Sequence, residues 1–247
     1  MPAFFCSCPA CDEARTLPRA QRGCCGALVE GSQRLLIDTP PDLRHQLIRE
    51  NIGSIDRLLY THAHYDHVSG LGELEYLVRL VLKRPLPTLA SAEAFASIGT
   101  EFGYMTECLA AQELAPFERF EFDGLAYTAL PVAHTPGTFG YLIESPLTRL
   151  FYASDTGPLP AKTAERIRGV DFCIMDATFW KANWNPDVHH SVQETIAEAQ
   201  GLNVGTLYLT HLAMHYDEPI TLVELEEYLA QFDGRVKVAH DGLRLSI

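Results

Sequence analysis

The stretch Thr61-His62-Ala63-His64-Tyr65-Asp66-His67 constrains this chain more than any other. Its four metal-competent side chains directly follow the apolar run Leu58-Leu59-Tyr60, whose length and lead-in Asp56-Arg57 predict a buried strand. The ligands then fall on the loop at the strand's end, where α/β folds place chemistry. Imidazole suits zinc, iron and manganese, and a carboxylate among histidines favours a hydrolytic metal over a thiolate-rich structural one. The plain alternative is a solvated, histidine-rich turn. Against it, matching side chains recur downstream, each after an apolar run: His134 in Pro131-Val132-Ala133-His134, Asp155 in Phe151-Tyr152-Ala153-Ser154-Asp155, and His211 in Leu207-Tyr208-Leu209-Thr210-His211.

This pattern resembles the metallo-β-lactamase superfamily, whose signature is His-x-His-x-Asp-His followed by a His, an Asp and a His at successive strand ends. Alternating strands and helices, with no repeat and no Pro/Gly-rich linker, predict one α/β domain over residues 1–247. The resemblance implies more: a four-layer αββα sandwich with metals at its edge. By the family pattern, His62, His64 and His134 hold one divalent ion, Asp66, His67 and His211 hold a second, and Asp155 bridges. A carboxylate suits the bridging post because its two oxygens can reach two cations. Zinc or manganese fits this donor set, and iron is also compatible. The redox di-iron branch carries Glu in place of the motif's second His, so His64 argues against that branch.

Composition narrows the partners. A net charge of −13 disfavours a broad nucleic-acid-binding face. No window reaches the apolar length of a membrane span, and the start Met1-Pro2-Ala3-Phe4-Phe5 lacks a signal-peptide pattern, so no membrane partner is expected. Of the seven cysteines, Cys6, Cys8 and Cys11 crowd together beside Pro9. That spacing reads as metal binding in a reducing cytoplasm rather than as a disulfide framework, and three such thiols can wrap one tetrahedral zinc given a fourth ligand. Cys24-Cys25 reads as core or incidental. Relatives usually begin with a strand and a Gly-rich turn before the cysteines, whereas this sequence starts almost at them, which predicts a shortened first sheet or an exposed edge.

Along the chain, strands are predicted over 26–30, 34–38, 118–122, 125–132, 139–144, 149–154 and 172–175, with Asp123-Gly124 as a hairpin turn. Helices are predicted from Pro40-Pro41-Asp42 to Glu50, from Glu73 to Leu82, within 88–117, over 161–168 and over 192–200. Phe102, Tyr104 and Phe117 are the candidate wall of a substrate pocket.

Two further histidine pairs bear on function. Val188-His189-His190-Ser191 opens a helix, and a His followed by a small hydroxyl residue at a helix start resembles the proton-donating histidine of the phosphodiesterase branch. His190 fits that position better, since Ser191 follows it and Thr195 recurs four residues on. Trp180 and Trp184, just upstream, either stack on a base or sugar or cover the core. The second pair is His211 and His215. With Cys-x-Cys-x₂-Cys near the start, it resembles the phosphoribosyl 1,2-cyclic phosphodiesterases of the carbon–phosphorus lyase pathway, where three cysteines and such a histidine bind a structural zinc. The spacing of four here is three in that subgroup, so His240 competes with His215 for the fourth position. The resemblance implies a metal-dependent phosphodiesterase that opens a small cyclic phosphate ester: a metal-activated hydroxide attacks phosphorus, Asp66 acts at the metals, and His190 protonates the departing oxygen. It leaves a homodimer open. The competing functions are a tRNA 3′-processing endonuclease, a thioester hydrolase of the glyoxalase type, and a non-catalytic metal-binding protein of a cofactor pathway.

Overall fold

Two β-sheets, packed face to face, carry the chain's apolar alternation, and helices cover the outer face of each. A computed structural model describes residues 2–216 and 218–247. The first sheet has the order β1-β2-β3-β4-β5, built from Ala27–Glu30 (β1), Arg34–Ile37 (β2), Arg57–Leu59 (β3), Leu86–Ala90 (β4) and Leu109–Glu113 (β5). β1 and β2 form an antiparallel hairpin, and β2 to β5 run parallel. The second sheet runs β12-β11-β10-β9-β8-β7-β6. Its strands are Arg119–Phe122 (β6), Leu125–Pro131 (β7), Phe139–Glu144 (β8), Arg149–Ala153 (β9), Phe172–Asp176 (β10), Thr206–Thr210 (β11) and Val236–Val238 (β12). β6 to β9 are antiparallel and β9 to β12 parallel. The hairpin between β6 and β7 turns on Asp123 and Gly124, both at positive φ, which the right-handed strand twist favours.

Period-two patterning assigns alternate side chains to different layers. Leu35 and Ile37 of β2 and Leu59 of β3 point inward to meet Tyr127, Tyr141, Ile143 and Tyr152 across the sandwich. Leu36 and Leu58 point outward, against Leu43 of α2 (Leu43–Arg49) and Ile98 of α4 (Ala92–Glu101), α3 being the short turn Tyr65–Val68. On the far side, Phe151, Met175 and Leu209 meet α5 (Ala161–Ile167), α6 (Val192–Gly201) and α7 (Leu222–Leu229), with α1 (Pro9–Thr16) joining through Ala10 and Ala14. The order of layers is therefore αββα, as expected. α6 and α7 each start on a capping box, Ser191 with Glu194 and Thr221 with Glu224.

Three local expectations are refined or corrected. The helix expected over 73–82 is a continuous helical segment that begins as a 3₁₀ turn (Leu71–Leu74) and widens into π-helical winding (Leu77–Leu82). Leu74 and Val78 are buried and Leu77 and Leu82 pack against the same core, while Tyr76, Leu80 and Val81 stay exposed, so the apolar stripe is present and only the winding differs from a regular helix. The cysteine-rich loop at 6–11 runs into α1 at Pro9, which the sequence reading missed along with α7 and β12. The proposed pocket wall also dissolves: Phe102 packs under α4, and Phe117 packs on the opposite, helix-covered side of the second sheet.

Candidate metal centre

The C-terminal ends of the parallel strands from both sheets meet at one edge of the sandwich, and the loops leaving them carry the polar residues. β2 leads to Asp38, β3 to the run 61–67, β9 to Asp155, β10 to Asp176 and Thr178, and β11 to His211; His134 follows β7. His211 takes a left-handed backbone (φ 55°), which departs from the extended course of β11. The side chains gather in two abutting groups whose ligand atoms lie within 4.8 Å of one another: His62, His64 and His134, and Asp66, His67, Asp155 and His211. A third set overlaps the second, adding Asp176 and His189 to Asp155 and His211.

Hydrogen bonds fix which ring nitrogen each histidine presents. His134 Nδ1–H donates to the Val188 carbonyl (2.9 Å), so its Nε2 keeps the lone pair. His67 Nδ1–H donates to Asp38 Oδ2 (2.8 Å). The Thr61 hydroxyl donates to the same carboxylate (2.8 Å) and is left to accept from His62 Nδ1–H (3.0 Å). Thr178 repeats this device in the second sheet, donating to Asp176 Oδ1 (2.8 Å) and accepting from His211 Nδ1–H (2.8 Å). Two buried carboxylates, Asp38 and Asp176, thus orient the imidazoles of the two halves, a supporting arrangement common around metal-binding histidines.

Charge follows from this packing. Burial lowers the pKa of His62 well below the ordinary histidine value, and it lowers that of His134 too. Burial also penalises a charged His67, but the carboxylates of Asp155 and Asp38 outweigh it and hold that pKa well above the usual value. His211 is likewise raised, to about 9: burial works against it, while Asp155 and Asp66 prevail. Asp155 is held low by His211 and His67 against the cost of its own burial. In the metal-free chain, carboxylates and imidazoles balance one another across the position where a cation fits. His62 Nε2 is buried without a hydrogen-bond partner, and His67 Nε2 and Asp155 Oδ2, 3.0 Å apart, face the same interior. An unpaired buried imidazole nitrogen is costly, and imidazole nitrogens converging with a carboxylate are what a divalent ion takes up. The residues present fit the expected pair of ions.

The two adjacent histidines of the 188–191 segment part company. His189 joins the site: its ring stacks on His211 (5.4 Å) and lies edge-on to His134 (4.9 Å), and its Nδ1 is 2.6 Å from Asp176 Oδ2. His190, the expected proton donor, turns the other way. It is 3% exposed, and its Nε2 contacts Glu198 Oε2 at 2.7 Å on α6. The reason is local: Phe179 and Ser191 pair as a short parallel bridge, which sends successive side chains to opposite sides. Asp38, Asp176, Thr61 and Thr178 were missed as functional residues, although Asp38 and Asp176 close apolar runs just as Asp155 does.

Gly157 locks this region together. A Cβ there would meet the Asp187 carbonyl oxygen at 2.5 Å and Val188 N at 2.8 Å, both backbone atoms of the segment that receives the His134 hydrogen bond. Gly157→Ala is expected to cost roughly 1–3 kcal/mol and to depress activity beyond its effect on folding, as read by urea midpoint and kcat side by side.

The sulfurs of Cys6, Cys8 and Cys11 also lie within 4.8 Å of one another. Burial pushes the Cys11 thiol up to about 11, while bonds from Cys8 lower that of Cys6. Neither His215 nor His240 is among the residues whose ligand atoms lie within 4.8 Å of one another here. The His215 ring packs on Tyr216 (4.6 Å), and the exposed His240 directs Nδ1 to the Asp241 carbonyl (3.1 Å). A cavity of about 940 Å³ opens beside β1 between the two sheets, reaching Cys24, Cys25, Asp66 and His211. A smaller one, about 340 Å³, lies on the other flank between His62, His64 and the α4 residues Glu93, Ser97 and Glu101.

Comparison with known proteins agrees with this geometry. Residues 33–212 match the family model of the beta-lactamase superfamily domain. The crystal structure of a diphosphatase from the PhnP family superposes with a TM-score of 0.84 at 26% identity, over 99% of this chain and 91% of that one. Ribonuclease Z of Archaeoglobus fulgidus is 25% identical, covering 94% of this chain and 94% of its own length. Coenzyme PQQ synthesis protein B of Methylobacterium radiotolerans is 27% identical over 100% of this chain and 96% of its own. An octanoyltransferase of Porphyromonas gingivalis is 23% identical across the chain, which spans about half of that protein, 49% of its length.

Proposed function

The chain belongs to the beta-lactamase superfamily domain family, a family of metal-dependent hydrolases, and on that premise we propose that it is a phosphodiesterase acting on a small cyclic phosphate ester. The observation that carries this reading is His189, held by Asp176 and stacked against His211 at the edge of both ligand groups. Phosphoester cleavage expels a poor alkoxide leaving group, and a positioned imidazole is the usual answer to that need. Thioester hydrolysis has no such requirement. The diphosphatase and the ribonuclease Z among the similar proteins act on phosphoric esters or anhydrides by name, which supports the same class.

Two divalent ions, zinc or manganese, would be held by His62, His64 and His134 and by Asp66, His67 and His211, with Asp155 between them. Bound there, such ions supply a nucleophilic water at neutral pH and neutralise charge on the phosphoryl oxygens. The chain's own residues do the rest. Asp66, with Oδ2 3.2 Å from His211 Nε2, stands among the metal-binding residues, where its carboxylate would accept a hydrogen bond from the attacking water. Asp176 takes the His189 Nδ1 proton as a hydrogen bond, which leaves Nε2 to carry a proton to the departing oxygen. Water's oxygen becomes bonded to phosphorus and gives up a proton to solvent, while the ester P–O bond breaks and the departing oxygen takes the proton from His189 Nε2. Side-by-side assays with bis-p-nitrophenyl phosphate, a cyclic ribose phosphate and a glutathione thioester test the reading. Turnover of the thioester alone overturns it.

Cys6, Cys8 and Cys11 we read as a separate structural zinc site of a cytoplasmic protein, since three thiols at this spacing suit a tetrahedral zinc. Cys8→Ser should remove one zinc per chain and lower Tm by roughly 4–8 °C, the shift for about 2 kcal/mol in a chain of this size. The kcat of the folded, fully loaded variant should stay within about twofold of wild type. Loss of turnover with unchanged zinc content would move these thiols into the reaction.

A further inference from the structure

Of the two tryptophans, Trp180 packs into the core against Tyr228 (ring centroids 4.8 Å). Trp184 does not: it is 63% exposed, and Tyr216 beside it is 40% exposed, their rings 6.0 Å apart. Large aromatics left in water beside a polar site call for an explanation, because burial is their ordinary fate. Both rings rest on Phe179, which is fully buried and meets Trp184 at 5.0 Å and Tyr216 at 5.8 Å. Phe179 in turn contacts the His189 ring at 6.4 Å.

The backbone under Trp184 is held in place. Asn183 Oδ1 accepts from Asn185 N–H (2.9 Å), and its Nδ2 donates to the His189 carbonyl (2.9 Å) and to Glu194 Oε2 (2.8 Å). Asn185 O accepts from the N–H groups of Val188 and His189. The turn that lifts Trp184 into solvent is thereby closed on itself and pinned to the site by the bond from His134 to Val188. Trp184 shares its loop with His189, and Tyr216 shares its loop with His211. The two exposed rings therefore sit at a fixed distance from the groups assigned to leaving-group protonation and metal binding.

Their planes are inclined at 65°, and we propose that Trp184 is a stacking platform, flanked by the Tyr216 ring, for a planar heteroaromatic ring carried by the substrate, so that the ester cleaved here is of nucleotide type rather than a bare sugar phosphate. The inference rests on the phosphodiester reading above and adds a substrate class to it. An open indole buttressed edge-on by a buried ring offers a π-face at little entropic cost, and it accepts any base without hydrogen-bond readout. The platform is short, two rings rather than a groove, and the net charge of −13 works against a long polyanion. A mononucleotide-sized group is what it accommodates.

The test uses the metal-loaded full chain and two pairs of probes. Adenosine 2′,3′-cyclic phosphate and the 1-O-methyl riboside 2′,3′-cyclic phosphate share a scissile group and differ in the base. Wild type should favour the first in kcat/KM, and Trp184→Ala should lose roughly 5- to 100-fold on it, mostly in KM, while changing less than about twofold on the second. Trp184→Phe should recover part of the loss. Binding of AMP and of ribose 5-phosphate, followed by calorimetry, reads the platform without turnover: Trp184→Ala and Tyr216→Ala should weaken AMP and leave ribose 5-phosphate unaltered. Equal losses on both members of a pair, or no loss on either, overturn the platform. If neither cyclic ester is hydrolysed yet AMP binding still depends on Trp184, the phosphodiester reading fails and the platform stands.

Discussion

Asp155→Ala is expected to abolish hydrolysis and to strip the candidate centre of metal. Asp155 is the carboxylate that both His67 (Nε2 to Oδ2, 3.0 Å) and His211 (Nε2 to Oδ1, 3.0 Å) face, and it is almost wholly buried. Alanine leaves two histidines without the carboxylate that both face and removes the group proposed to lie between the two ions. Turnover is expected to fall by more than roughly a thousandfold, with the metal content per chain falling in parallel. Circular dichroism should show the sheets intact. Wild-type kcat with unchanged metal content would remove Asp155 from the centre altogether.

His189→Ala gives the second large effect, and its size depends on the substrate. An ester with an alkoxide leaving group should slow by about 10²–10⁴-fold, while p-nitrophenolate, which departs unprotonated, should be affected far less. Asp176→Asn should share the direction of this selectivity, because it disturbs the hydrogen bond that orients the ring. His190→Ala separates position from identity. Its ring is buried against Glu198, so the loss there is one of stability, about 1–3 kcal/mol, without leaving-group dependence. Equal slowing of both substrates by His189→Ala would assign that residue to binding instead.

Much of this could be read in advance, and the reasons for success and failure differ. The run from His62 to His67 and its partners at 134, 155 and 211 were legible because strand ends are signalled by apolar runs, and a ligand after each run is a one-dimensional pattern. Strand bounds held for the same reason: Leu125–Pro131 and Phe139–Glu144 are near-continuous apolar runs, buried on both faces between sheet and helix layers. The choice between His189 and His190 was not legible. It turns on the bridge between Phe179 and Ser191, a pairing of two irregular segments that leaves no periodic trace. Asp38 and Asp176 carried the same signal as Asp155, but nothing in a linear pattern says that a carboxylate grips an imidazole rather than an ion. The placement of His215 beside Tyr216 likewise depends on how the loop after His211 turns.

The division of the ligands between the two sheets bears on the order in which this molecule can form. His62, His64, Asp66 and His67 leave the first sheet, whereas His134, Asp155 and His211 leave the second, so neither half holds a complete set. Chain closure across such long separations is entropically slow, and its reward comes only when both sheets are already docked. The candidate metal centre therefore has its full ligand set only once the two sheets have docked. An ion that enters it acts as a latch on the finished sandwich rather than as a seed for it, unlike an ion at Cys6, Cys8 and Cys11, whose ligands are local and can close within a single turn of chain.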